Sequence, residues 1–143
     1  MTSAVDPIFV DTSILVYASW AAAPLHKQTR TVLESYRRTG APLHISRQSI
    51  REWLATLNRP DTGLALDDLM AEVRTFDSHF IILDDTAMTT MRLFMLMPQA
   101  NGMSVHDVHI VATMQTSGIR RLLTHHAAAF TPFQPVIDII SLV

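Results

Sequence analysis

Three carboxylates stand where a fold could gather them at one edge. Asp11 directly follows the apolar run Ile8-Phe9-Val10 and precedes Thr12, Ser13 and an apolar helical stretch, so its carboxylate emerges where a strand ends. The same position suits a helix N-cap, for which Asp, Thr and Ser are common residues. Asp107 ends Ser104-Val105-His106-Asp107, which has capping-box spacing, yet it shares a helical stripe with Ile110, Val111 and Met114. An acid on a stripe that packs against a sheet needs a partner or a cation. Glu52 lies nearly opposite the stripe of Ile50, Trp53, Leu54 and Leu57, so periodicity places it at the surface, and Ser49 with Glu52 again matches a capping box.

Brought together, three acids would form an all-oxygen, negatively charged pocket that selects a hard cation, Mg²⁺ or Mn²⁺, over zinc. Such an ion binds phosphate, lowers the pKa of a bound water and neutralises charge that builds on a phosphodiester in the transition state. Histidines offer a rival zinc site, with His106 and His109 three apart on one helix and His125-His126 after a strand. Neither pair comes with a glutamate placed as a general base. Only Gly40, Gly63, Gly102 and Gly118 are glycine, which excludes a dinucleotide fingerprint and a phosphate-cradling P-loop. A serine nucleophile elbow is missing too. A receiver or haloacid-dehalogenase scheme would share an acid after the first strand and form an acyl phosphate at Asp11. Both also want a lysine late in the chain, and the only lysine is Lys27.

The elements that must position these acids alternate. Ile8 to Val10, Leu43 to Ser46, Phe80 to Leu83, Leu122 to Thr124 and Val136 to Ile140 read as five short strands. Helical spacing joins Ile50 to Leu57 and Leu66 to Val73. Asp84 and Asp85 can cap a further helix whose Ala87, Met91, Phe94 and Met95 share one face, and Ser104 opens one that Gly118 closes. Five of the eight methionines lie between Met88 and Met103, and the reading favoured for them is core filling. Short apolar strands alternating with helices imply α/β architecture: three α/β/α layers with a central parallel sheet of about five strands, ligands sitting at its carboxyl edge.

With 143 residues and 48% hydrophobic content, the chain is expected to be a single domain, residues 1–143, burying roughly 70% of its unfolded surface. Ten arginines and one lysine against 13 acids argue against a polycationic nucleic-acid coater. The chain has no cysteine, which rules out disulfides and thiolate metal sites within it. The longest uncharged stretch, Thr12 to Leu25, is too short to span a membrane, and acids rather than bases precede it. A soluble, cytoplasmic protein without membrane partners is the expectation.

At this point the motifs resemble those of PIN-domain ribonucleases, and among them the VapC-type toxins of bacterial toxin–antitoxin pairs. The likeness runs through Phe9-Val10-Asp11-Thr12-Ser13-Ile14-Leu15-Val16-Tyr17-Ala18, Ser46-Arg47-Gln48-Ser49-Ile50-Arg51-Glu52-Trp53-Leu54 and the stretch from Ser104 to Met114, and so covers nearly the whole chain. The resemblance implies that Asp11, Glu52 and Asp107 are catalytic, metal-binding acids for Mg²⁺, with Mn²⁺ able to substitute. Thr12, Ser13 and Thr124 match hydroxyl positions that support the cluster. One departure stands out: relatives usually carry Asn or Asp two residues after that Thr, and often an acid just before the following Phe, where this chain has His126 and Ala129. A fourth acidic contribution is therefore missing, which bears on a second metal and on full activity, while His126 could contact phosphate or a metal-bound water.

The implied activity is metal-assisted hydrolysis of single-stranded RNA or exposed loops, with a cognate antitoxin that blocks the acids and a homodimeric state as expected partners. Arg47, Arg51 and Arg120, with Arg59 and Arg121, are candidate RNA-backbone contacts, since the guanidinium fork suits phosphate. The alternative is a PIN-fold module that binds RNA or antitoxin without turnover.

Overall fold

Ile8, Phe9 and Val10 have no exposed surface, as a strand covered on both faces requires. In the computed structural model, which describes residues 5–142, they form the central strand β1. The chain continues through α1 (Thr12–Ser19), α2 (His26–Arg38), β2 (Leu43–Ser46), α3 (Arg47–Leu57), α4 (Leu66–Val73), α5 (Phe76–His79), β3 (Ile81–Leu83), α6 (Ala87–Leu96), α7 (Val105–Thr116), β4 (Arg121–Thr124) and β5 (Asp138–Ser141). The five strands are ordered β3-β2-β1-β4-β5, and every neighbouring pair is parallel. The five-stranded parallel sheet expected from the sequence is therefore present, with helices on both faces.

Alternation along β1 divides the core. Ile8 and Val10 pack with Leu15, Leu33, Ile45, Trp53 and Phe76 on the α1–α4 side. Phe9 points the other way, into Val108, Val111, Met114, Leu122, Phe130 and Phe133 beside α7. Successive residues of a three-residue strand thus tie two helical layers to one sheet. Gly118, with φ of 68°, reverses the chain after α7 in the left-handed region that glycine occupies without penalty.

Two elements differ from the sequence reading. The helix α2 was not expected, because its 13 residues are mostly polar and it buries only Thr29 and Leu33 fully. In α6 the stripe expected to face the core is turned outward. Thr89, Leu93 and Leu96 are the buried residues, whereas Ala87, Met88, Met91, Phe94 and Met95 are exposed, Met88 at 70% and Phe94 at 68%. The core-filling role of Met88, Met91 and Met95 is thereby corrected: α6 is apolar on two faces, and packing against α7 uses only the smaller one.

Candidate active site

The sheet order changes direction at β1, with β2 and β3 to one side and β4 and β5 to the other, and such a switch point leaves a crevice beyond the strands' carboxyl ends. Asp11 sits in it. Its backbone N–H donates to the Leu123 carbonyl at 3.0 Å, extending the β1–β4 ladder by one bond. Asp11 occupies the N-cap position of α1, yet its side chain makes no capping bond. Oδ2 instead accepts from Ser13 Oγ at 2.9 Å and from Thr124 Oγ1 at 2.7 Å. Thr124 Oγ1 accepts in turn from the His126 N–H, and Ser13 Oγ from the His125 N–H, so both hydroxyls are aimed at the carboxylate. The residue is only 5% exposed. Burial pushes its carboxyl above the usual carboxylate range against the pull of the two hydroxyls, and the charge of Asp107 adds to the rise.

Asp107 projects from the first turn of α7. Ser104 caps that helix, its Oγ accepting from the Asp107 N–H at 3.1 Å, while Ile110, Val111 and Met114 on the same stripe are buried. Its carboxyl is also raised, first by burial and then by the charge of Glu52, with a Ser104 hydrogen bond, His126 and His106 acting the other way. Glu52 is the acid that periodicity placed at the surface. Ser46, not Ser49, caps α3, so the Ser49–Glu52 capping box does not form. The Glu52 side chain lies instead along the sheet edge. Its Oε2 accepts from Thr12 Oγ1 at 3.0 Å, and its Oε1 accepts from Gln48 Nε2 at 2.6 Å and lies 3.0 Å from His106 Nδ1. Gln48 and His106 were not assigned to the acid cluster from sequence; the i, i+4 spacing of Gln48 and Glu52 was the available signal.

A charge chain thus runs from Asp11 through Asp107 to Glu52. No arginine or lysine among the described residues forms a salt bridge with Asp11 or Asp107. Nor do any three His, Asp or Glu side chains among them lie close enough together to cage an ion by themselves. The oxygen donors fit Mg²⁺ all the same, since that ion is commonly held by one or two carboxylates and completes its shell with water and phosphate.

The family model of the PIN domain matches residues 8–126. The chain belongs to the PIN domain family. Solved structures agree at the level of fold. VapC20 of Mycobacterium tuberculosis, described as a toxin that cleaves the sarcin-ricin loop, superposes with a TM-score of 0.65 at 19% identity, covering 80% of this chain and 86% of its own. The DNA-bound VapBC of Salmonella typhimurium gives 0.71 at 16% identity over 97% and 100% of the two chains. A toxin–antitoxin complex from Klebsiella pneumoniae gives 0.67 at 18% over 96% and 98%. Among curated proteins the sequence finds no match.

Within this PIN domain the remaining candidates separate. Thr12, Ser13 and Thr124 all touch an acid. His126 reaches the cluster through its backbone N–H and its field on Asp107. The histidines do not converge on a zinc site: His106 faces Glu52, His109 Nε2 lies 3.4 Å from Asp85, and His125 Nε2 is 3.0 Å from Thr29 Oγ1 with its ring against Tyr17. Arg47 and Arg51 lie on α3 at the acid edge, paired with Asp84 and Asp85 after β3. Arg120 and Arg121 precede or open β4, at the opposite edge from Asp11, where they bind Asp138 and the Asp6 carbonyl. Arg120 forms a clasp between the starts of β4 and β5, away from the acids, and Arg59 pairs locally with Asp61. No helix among the described residues is long and apolar enough to cross a membrane.

Proposed function

We propose that this PIN domain is a metal-dependent endoribonuclease and the toxin of a toxin–antitoxin pair. The observation that carries the reading is Asp11: a buried carboxylate, fixed by two hydroxyls, next to a second acid and without a basic partner. A fold retains so costly a group where function requires it. Asp11 and Asp107 would hold Mg²⁺ or Mn²⁺, with Glu52 at its margin. Bound there, the ion would supply an activated water and charge stabilisation for phosphodiester hydrolysis.

The protein's own contribution is orientation. Thr124 and Ser13 both donate to the same oxygen of Asp11, Oδ2, and so fix the carboxylate's orientation. Thr12, Gln48 and His106 restrain Glu52 from three elements. Arg47 and Arg51 hold exposed ion pairs, which contribute little in water, so their guanidinium forks can be redirected to RNA phosphates. A single-stranded segment suits the site because its bases can splay apart from the backbone. The toxin–antitoxin complexes among the structural neighbours support an antitoxin as partner. A second copy of the chain is the partner that the exposed α6 face fits.

Cleavage of a labelled structured RNA should require Mg²⁺ or Mn²⁺ and stop on chelation; equal cleavage in EDTA would overturn the reading. Thr124→Val removes one donor to Asp11 while keeping side-chain shape, and the cleavage rate should fall about 10- to 100-fold. The second reading, a PIN-fold binder without turnover, draws on Glu52 being engaged by Gln48 and His106. RNA binding with no cleavage in either metal would select it.

A further inference from the structure

A recess of about 280 Å³ opens beside Asp107, between the turn that precedes α7 and the short 3₁₀ segment after β4. Its walls are Asn101, Gly102, Met103 and Ser104 on one side and Ala128, Ala129, Thr131 and Pro132 on the other. The first wall is a tight turn, with positive φ at both Asn101 (47°) and Gly102 (87°). No lysine, arginine or histidine lines the recess, and Asp107 stands at one end. Beyond a cation held at Asp107 itself, the walls offer a phosphate no counter-charge, so the body of the recess suits a neutral group. The surfaces on offer are apolar and polarisable at Met103, Ala128, Ala129 and Pro132, with an amide at Asn101 and hydroxyls at Ser104 and Thr131 at the rim. Its volume lies just below the smaller end of ligand pockets, which is the scale of one nucleoside and not of a folded element.

We propose that this recess receives a single nucleobase, from a nucleotide next to the bond cut at Asp107, and so gives the enzyme its preference for sequence. The inference rests on the RNA-cleaving reading above. A base is flat, neutral and amphipathic: its face packs on Met103 and the alanines, and its edge meets Asn101 and Thr131. Distance from phosphate contacts also fits, since the arginines of the acid edge, Arg47 and Arg51, lie on α3 and not on this wall. Backbone and base are then read by different elements on either side of Asp107.

An abasic scan tests this. Short fluorescein-labelled single-stranded oligoribonucleotides, each with one abasic residue, are titrated by anisotropy onto the Asp11→Asn chain, which keeps the recess. One position next to the bond that the unaltered enzyme cuts should lose on the order of tenfold in affinity. Ala128→Trp, at an exposed residue whose ring would fill the recess, should abolish that penalty. Asn101→Gly, which keeps the left-handed backbone and removes the amide, should weaken discrimination between bases at that position. A flat scan on a chain that does bind and cut RNA would overturn the recess alone, and would also be the outcome if the recess takes a partner's peptide. An equal penalty with and without Ala128→Trp would do the same. A chain that neither binds nor cuts RNA would overturn the recess together with the function it rests on.

Discussion

Asp11→Asn is expected to abolish RNA cleavage, by on the order of a thousandfold, while making the metal-free protein harder to melt. The two effects share one cause. The carboxylate is nearly fully buried, with two hydroxyl donors and a neighbouring acid, so its charged form is disfavoured in the native state. A carboxyl whose native pKa lies above its unfolded value stabilises the fold at low pH. That contribution is lost as pH rises from near the ordinary value of 3.8 through the native pKa. Above that pKa the native state carries a buried charge whose desolvation costs stability, unless a cation takes the proton's place. Asparagine keeps the acceptor for Ser13 and Thr124 and removes the charge. Calorimetry in EDTA should show a higher melting temperature, by roughly 3 °C or more, and a flatter dependence on pH. Added Mg²⁺ should raise the melting temperature of the unaltered chain and leave that of the variant nearly unmoved. A variant that melts lower at neutral pH, or still cuts RNA, would remove Asp11 from the centre of the mechanism.

Changing Met91 and Phe94 together to glutamate should abolish the self-association proposed for the α6 face. Met88, Met91, Phe94 and Met95 form a continuous apolar face on α6, opposite the buried Thr89, Leu93 and Leu96. A helix apolar on two sides is stable when both are covered, and α7 covers one. Each large side chain withdrawn from water contributes about 1.5–3 kcal/mol, so losing two should weaken self-association by roughly a thousandfold. Sedimentation velocity gives the answer directly. Because the substituted side chains point away from the core, circular dichroism should be unchanged. A chain that sediments as a monomer before any substitution would leave this face without its second copy.

The sheet was legible because its strands are short, largely apolar runs bounded by turn formers, and each boundary fell within about two residues of the structure. Hydrophobic pattern registers burial, and the inner strands β1, β2 and β4 are mostly buried, whereas the edge strands β3 and β5 are partly exposed. The same signal failed where burial and hydrophobicity part company. The polar α2 contributes few apolar residues to the core, and its helical signal lies in good helix formers and in the spacing of Thr29, Val32, Leu33 and Tyr36 rather than in an apolar run. The apolar stripe of α6 reads as a core face, although within one chain it has nothing to pack on. Glu52 shows the limit at the site. Its angle on the helical wheel says surface, and only the contacts of Thr12, Gln48 and His106 from three different elements carry it to the acid edge. The contacts of Thr12 and His106 are made by tertiary structure and leave no periodicity behind; only the i, i+4 step from Gln48 does. For Arg120, residue type suits phosphate, and only strand direction shows that it stands at the opposite edge from Asp11.

The bond from Thr124 to Asp11 spans 113 positions along the polypeptide. A nascent chain must therefore grow past Thr124 before the hydroxyl that orients the first acid exists. Until then, even with its early helices folded, it lacks β4, the strand whose pairing with β1 closes the switch point. Whatever chemistry the crevice performs is deferred until those two distant stretches meet.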